Sequence, residues 1–152
     1  LVIAETRHGF VCANAGVDRS NTRPGTAILL PEDPDRSARR IRDRLGGVLG
    51  IRPAVIISDT FGRPWRRGLV DVAIGVAGMH PIEDLRGTSD SFGRVLDVTE
   101  VNVADELAAA ADLVMGKATG ICAALVRGFS SPPGPGSIGT DVVRPPEEDL
   151  FR

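Results

Sequence analysis

Two polar stretches carry the side chains best suited to chemistry. "NAGVDRSN", residues 14–21, sets a carboxylate, a hydroxyl and a carboxamide (Asp18, Ser20, Asn21) among small residues that let a backbone approach a ligand. "SDTFGRPWRRG", residues 58–68, adds the carboxylate of Asp59 and the hydroxyl of Thr60, followed by Arg63, Arg66 and Arg67. Hard cations such as Mg²⁺ or Mn²⁺ take oxygen ligands, commonly one or two carboxylates completed by nucleotide phosphates. Asp18 and Asp59 therefore suffice if the fold brings them together. Guanidinium groups bind phosphate or carboxylate with two parallel hydrogen bonds, which extends the pattern to Arg63 and Arg66. The same residues equally suit a polar turn, a strand-end aspartate bonded to loop amides and a solvated basic surface. Residue types alone leave both readings open.

Other candidates are weaker. His8 and His80 lack the spacing of a zinc site. Asp105 and Glu106 sit where a helix begins and are expected to be solvated or capping. Trp65 is expected to pack half-buried, with a place over a ligand as the alternative, and Ser20 reads as a turn residue. Cys12 and Cys122 each lie in apolar surroundings and are expected to be two buried thiols of a cytoplasmic protein, with a disulfide as the alternative. The chain contains neither GxxxxGK[ST] nor GxGxxG, so a nucleotide must be held some other way. It also lacks GxSxG and any Cys-His arrangement, which gives acyl-enzyme chemistry no support, and no general base suggests itself.

The elements that must position these groups follow from patterning. At 152 residues the chain suits one domain with a buried core, and 42% hydrophobic with 25% charged residues reads as globular and soluble. A net charge of −2 gives no reason to expect nucleic acid or an anionic membrane as partner. No apolar run approaches the roughly 20 residues of a membrane helix. The opening Leu1-Val2-Ile3 does not resemble a signal peptide and reads as a chain that starts inside a strand. Residues 2–13 suggest two short strands joined at Arg7-His8-Gly9, residues 14–26 a loop, and Ala27–Leu30 a strand.

Asp33 then caps a helix with Pro34 at its first position. That helix is expected to run to Leu45 and to close at Gly46-Gly47, with Ala38, Ile41 and Leu45 inward and Arg36, Arg39, Arg40 and Arg42 outward. Residues 53–58 read as a buried strand delivering Asp59 and Thr60 at its end, 61–69 as a loop, 71–79 as a strand, 80–93 as a loop and 95–98 as a strand. Residues 101–115 form the strongest helix, with Leu107, Ala110, Ala111 and Val114 on one side, and Gly116 ends it. Residues 121–126 read as a further buried strand, and "SSPPGPGSIG" has loop or linker composition. Strands and helices without strict alternation point to an α+β fold.

Taken together, "RHGFVCANAGVDRSN" (7–21), "LLPEDPDRSARRIR" (29–42), "VIISDTFGRPWRRG" (55–68), "DVAIGVAG" (71–78), "VADELAAAADLVMGK" (103–117) and "ALVRGF" (124–129) resemble, in order, the coenzyme F420:L-glutamate ligase family. The coenzyme is a deazaflavin. The resemblance implies a GTP-dependent ligase that adds L-glutamate by γ-linked amide bonds to the F420 precursor, with Mg²⁺ or Mn²⁺. It also implies a non-P-loop α+β fold that dimerises through intertwined, mixed or antiparallel sheets. By the family pattern Asp18 and Asp59 ligate metal, Thr60 contacts a second metal, Asn21 contacts the nucleotide, and Gly116-Lys117 lies beside nucleotide and metal.

Two departures stand out. Lys117 replaces a frequent glutamine and suits phosphate better than metal, and Leu69-Val70 replaces a carboxamide and a hydroxyl. The resemblance further implies a partial ligase domain over 1–130, lacking an N-terminal part, followed by a Pro- and Gly-rich segment or linker over 131–152. A metal-binding and dimerisation module without ligase activity of its own is the alternative.

Overall fold

The computed structural model describes residues 2–149. It is an α+β arrangement in which three two-stranded antiparallel sheets carry two principal helices. The sequence favours the first sheet because Thr6 can organise a turn: its hydroxyl accepts from the backbone N–H groups of His8 and Phe10. That turn joins β1 (Ile3–Glu5) to β2 (Val11–Ala13) as the expected hairpin.

The frame of the molecule is a long hairpin of β3 (Val55–Arg63) and β4 (Arg66–Ala77). Here the structure corrects the expected loop over 61–69. Pro64 and Trp65 form a two-residue turn between the paired Arg63 and Arg66, and a register shift beside Gly62, with Gly68 at φ +90°, absorbs the extra residues. Residues typical of loops thus build a hairpin tip, and Asp59 and Thr60 lie within a strand rather than at its end.

Helix α1 (Pro34–Leu49) starts as expected, with the Asp33 carboxylate accepting from the Arg36 N–H at 2.7 Å. It does not stop at Gly46-Gly47. Gly50, at φ +69°, adopts the left-handed conformation that closes a helix. Two faces also differ from expectation. Arg42 lies one turn beyond Ala38 on the packed face and donates to the Pro53 carbonyl at 3.0 Å, whereas Ile41 is exposed. Helix α2 (Val103–Met115) begins two residues late because Glu100–Asn102 forms β6, pairing with β5 (Ile82–Asp84). The expected strand over 95–98 is reduced to a bridge at Val95. On α2 the buried residues are Val103, Ala104 and Ala108, while Val114 is exposed.

Both helices pack on β4. The core joins Phe10, Ala73, Ile74, Val76, Met79, Val103, Ala104 and Ile138. The outer edge of β4 is closed by carboxylates rather than by a strand. Asp35 accepts from the N–H of Val76, and Asp105 accepts from the N–H of Ala73. Asp35 also takes the hydroxyl of Ser137, which ties down α3 (Ile138–Asp141), whose Ile138 is fully buried. The Pro- and Gly-rich stretch therefore returns to the core through Ile138 and Val143. Residues 150–152 of the expected C-terminal segment lie outside the described residues.

Two further strands are corrected. Of Ala27–Leu30 only Ile28 pairs, as a single bridge to Asp18, and Leu29 is exposed. Residues 121–126 pair with nothing among the described residues and are exposed, because no neighbouring strand reaches them. Cys122 is thus a free but exposed thiol, which corrects its expected burial, while Cys12 is free and buried.

Candidate functional site

The loop after β2 is held in an uncommon conformation. Asn14, Ala15 and Gly16 have successive positive φ values of 53°, 51° and 72°, and Asn21 has 52°. Left-handed backbone is unfavourable for residues with a Cβ and concentrates where a ligand must be met. Beyond this turn Asp18 exchanges two backbone hydrogen bonds with Ile28, at 2.8 and 3.1 Å, which fix its Cα. Its carboxylate accepts from both the N–H and the hydroxyl of Ser20. Ser20 is thus a turn residue, as read, and also orients the carboxylate. These bonds hold the Asp18 carboxyl below its ordinary value, and the Lys117 cation adds to the effect.

Three separate segments meet here. The Asn21 carboxamide donates to the Lys117 carbonyl at 3.0 Å, linking the loop to the turn after α2. The Lys117 ammonium lies 3.6 Å from Asp18. Asp59 on β3 is half-buried, and burial pushes its carboxyl up; the N–H of Thr60 and the charge of Lys117 oppose this, while the charges of Asp18 and Asp71 add to it. Asp18, Asn21 and Lys117 are therefore in contact, Asp59 lies within range of the Asp18 and Lys117 charges, and Gly116 ends α2 directly beside Lys117.

Strand geometry sets the place of Thr60. Its N–H donates to the Asp59 carboxylate at 2.9 Å, so that N–H faces away from β4. The carbonyl of the same residue points the same way, because an antiparallel residue directs its N–H and C=O to one side. Its hydroxyl instead donates to Asp71, directly opposite in the register, at 2.8 Å. Asp71 also receives the Ser58 hydroxyl at 2.8 Å and is only 6% exposed. Sequence reasoning missed Asp71. Its role depends on cross-strand register, and the only available signal was a carboxylate within an otherwise apolar strand.

Other expected residues lie elsewhere. Arg63 and Arg66 face each other at the hairpin tip, about 10 Å or more along β3 from Asp59 at ~3.3 Å per residue. Trp65 sits at the same tip and is 79% exposed, which corrects the expectation of half-buried packing; a two-residue turn projects it away from the core. The His8 ring contacts the Glu32 carbonyl and stacks on Phe10, while His80 lies against Gly134. Asp105 is neither solvated nor the helix cap. Asn102 caps α2, and Asp105 bridges to β4.

The donors suit a hard divalent cation. They are carboxylate and carbonyl oxygens, and the like charge of Asp18 raises the Asp59 carboxyl, partly offset by the Lys117 ammonium beside Asp18. Among the described residues no three His, Cys, Asp or Glu side chains form a cage. An ion here would need further ligands, as Mg²⁺ commonly takes from phosphates.

Comparison with known proteins adds a second line of observation. The family model described as F420-0:gamma-glutamyl ligase matches residues 1–128. The chain is similar to the coenzyme F420:L-glutamate ligase of Methanocaldococcus jannaschii, at 52% identity over the whole chain and 61% of the relative's length. The protein of that name from Methanothermobacter thermautotrophicus is 52% identical with the same shares covered, and that from Methanopyrus kandleri is 49% identical with 62% of its length covered. The chain thus spans about three-fifths of the relatives it matches.

Proposed function

The chain belongs to the F420-0:gamma-glutamyl ligase family, and from that premise we propose that it forms the cation- and nucleotide-binding part of a cytoplasmic ligase. The substrates are L-glutamate, a deazaflavin precursor and GTP, and the bond formed is a γ-linked amide. The observation that carries the reading is the meeting of Asp18, Asn21, Asp59 and Lys117 from three segments far apart in sequence. No helix among the described residues is long and apolar enough to cross a membrane.

In this reading GTP phosphorylates the terminal carboxylate of the acceptor. The glutamate amine attacks the acyl phosphate, the C–N bond forms and phosphate leaves with the C–O bond pair. Asp18 and Asp59, with Thr60, would hold Mg²⁺ or Mn²⁺, which would supply charge neutralisation for the phosphates. Asn21 orients the nucleotide through its carboxamide. Lys117, an ammonium on a flexible stem, turns from Asp18 to phosphate when phosphate arrives. Gly116, at φ +64°, turns the chain at the end of α2 so that Lys117 reaches the loop of Asp18 and Asn21. Arg63 and Arg66, remote from the carboxylates along β3, serve an anionic substrate group only if it extends to the hairpin tip. Catalysis is then positioning plus electrostatics, with no side chain acting as general base.

The test is glutamate addition to the deazaflavin precursor by the complete enzyme, followed by mass spectrometry in the presence of GTP and Mn²⁺. Asp18→Ala and Asp59→Ala are each expected to lower turnover by roughly 10²–10³-fold or more. Wild-type rates in either variant overturn the assignment.

A further inference from the structure

Asp71 is a buried carboxylate whose two hydrogen-bond donors, Ser58 and Thr60, are both neutral hydroxyls. A carboxylate is acceptor-only, so each hydroxyl commits its proton to it, and neither supplies a balancing positive charge. Burying a charge against neutral hydroxyls costs solvation. The sequence nevertheless keeps a carboxylate at a strand position where Asn would fill the same volume. The pairing explains what that carboxylate accomplishes. Thr60 stands directly opposite Asp71, and strand alternation places the Asp59 side chain on the other face. With its hydroxyl held by Asp71, Thr60 has one fixed rotamer, its N–H is turned out toward the Asp59 carboxylate and its carbonyl faces the same side.

We propose that Asp71 is a positioning residue for the cation site. It locks Thr60 so that the outward carbonyl of that residue and the Asp59 carboxylate form one oxygen-lined edge, and its buried negative charge, set behind that edge, strengthens attraction for a divalent cation. Partners that orient first ligands in this way typically account for 10–100-fold in metal affinity. The inference rests on the cation reading above, and its test separates the two.

Mn²⁺ binding to the purified protein, followed by electron paramagnetic resonance, is compared for four variants alongside thermal unfolding. Asp71→Asn keeps the shape and removes the charge, and it is expected to weaken Mn²⁺ binding about tenfold or more. Ser58→Ala removes the bond that does not involve Thr60 and is expected to change Mn²⁺ affinity by no more than about twofold, whatever its effect on Tm. Equal weakening in both variants overturns the proposal, because a merely structural clamp would respond to either loss. If Asp59→Asn loses binding while Asp71→Asn binds as the wild type does, the role of Asp71 is refuted and the cation site stands. If Asp59→Asn binds normally, the cation reading itself fails. Should Asp71→Asn not fold, Thr60→Val carries the test, and undiminished Mn²⁺ affinity in that variant overturns the proposal.

Discussion

At Asp59, function and stability pull in opposite directions. Burial raises this carboxyl above the ordinary value of 3.8, beyond what the Thr60 N–H and Lys117 recover. The native state therefore holds the proton at a pH where the unfolded chain has released it. Stability is lost as pH rises from the unfolded value through the raised folded one, and it stays lower above that window. Asp59→Asn keeps an oxygen to accept from Thr60 and removes the charge. It is expected to raise the Tm of the metal-free protein at neutral pH, with the gain shrinking toward zero as pH falls to about the ordinary carboxylate value. Thermal unfolding across a pH series checks this, and a lower Tm for the variant at neutral pH overturns it. Asp18 has the opposite sign: bonds from Ser20 lower its carboxyl, so its contribution is present at neutral pH and is lost on acidification. The polar character of Asp18, Asn21 and Asp59 was legible in residue type and spacing. Asp71 was not, because nothing local in "GLVDVAIG" reveals that its carboxylate faces Thr60 across the ladder.

Among elements, the sharpest constraint is the approach of α1 to β4. A Cβ at Gly75 would lie 2.4 Å from the carbonyl carbon of Pro34, so the first turn of the helix rests on bare backbone. That contact lets Asp35 reach the N–H of Val76 and the hydroxyl of Ser137 together. Gly75→Ala must push the helix away and is expected to cost about 1–3 kcal/mol or more, since the obstructing atoms are backbone. The midpoint of urea unfolding measures it, and an unchanged midpoint contradicts the packing described. The start of α1 was readable because Asp33 and Pro34 act locally. Its end was not: three glycines compete, and only the one whose φ becomes positive terminates the helix. The hairpin tip was misread for a related reason, since Gly62, Pro64 and Gly68 suit a loop and a tight turn with a bulge equally well. Residues 121–126 have the apolar and β-branched composition of a strand, but a strand needs a partner that composition cannot supply.

For the whole molecule, surface area is the informative quantity. A compact monomer of 16.0 kDa exposes about 7,400 Å² by the usual scaling with mass. This chain exposes 10,882 Å². Two copies together carry about 7,000 Å² of such excess, more than the total of about 2,000–5,000 Å² that permanent interfaces bury, so a dimer interface would cover part of it. It is apolar where the chain is unpaired: Leu125 is 70% exposed and Phe129 48%. Beside these residues an open cavity of about 710 Å³ is lined by Val55 and Ile57 of β3, Leu107 and Met115 of α2, and Cys122 and Leu125. Among the described residues β3 pairs only with β4, leaving its outer edge available along this groove. An unpaired apolar segment next to an unpaired edge is the arrangement that strand exchange between two copies satisfies. The protein is therefore expected to sediment as a dimer. Leu125→Asp combined with Phe129→Asp, which places charge on that segment, is expected to shift it to monomer. A wild-type protein that stays monomeric at high concentration overturns the expectation. A dimer untouched by the double substitution shows that the contact lies on another face.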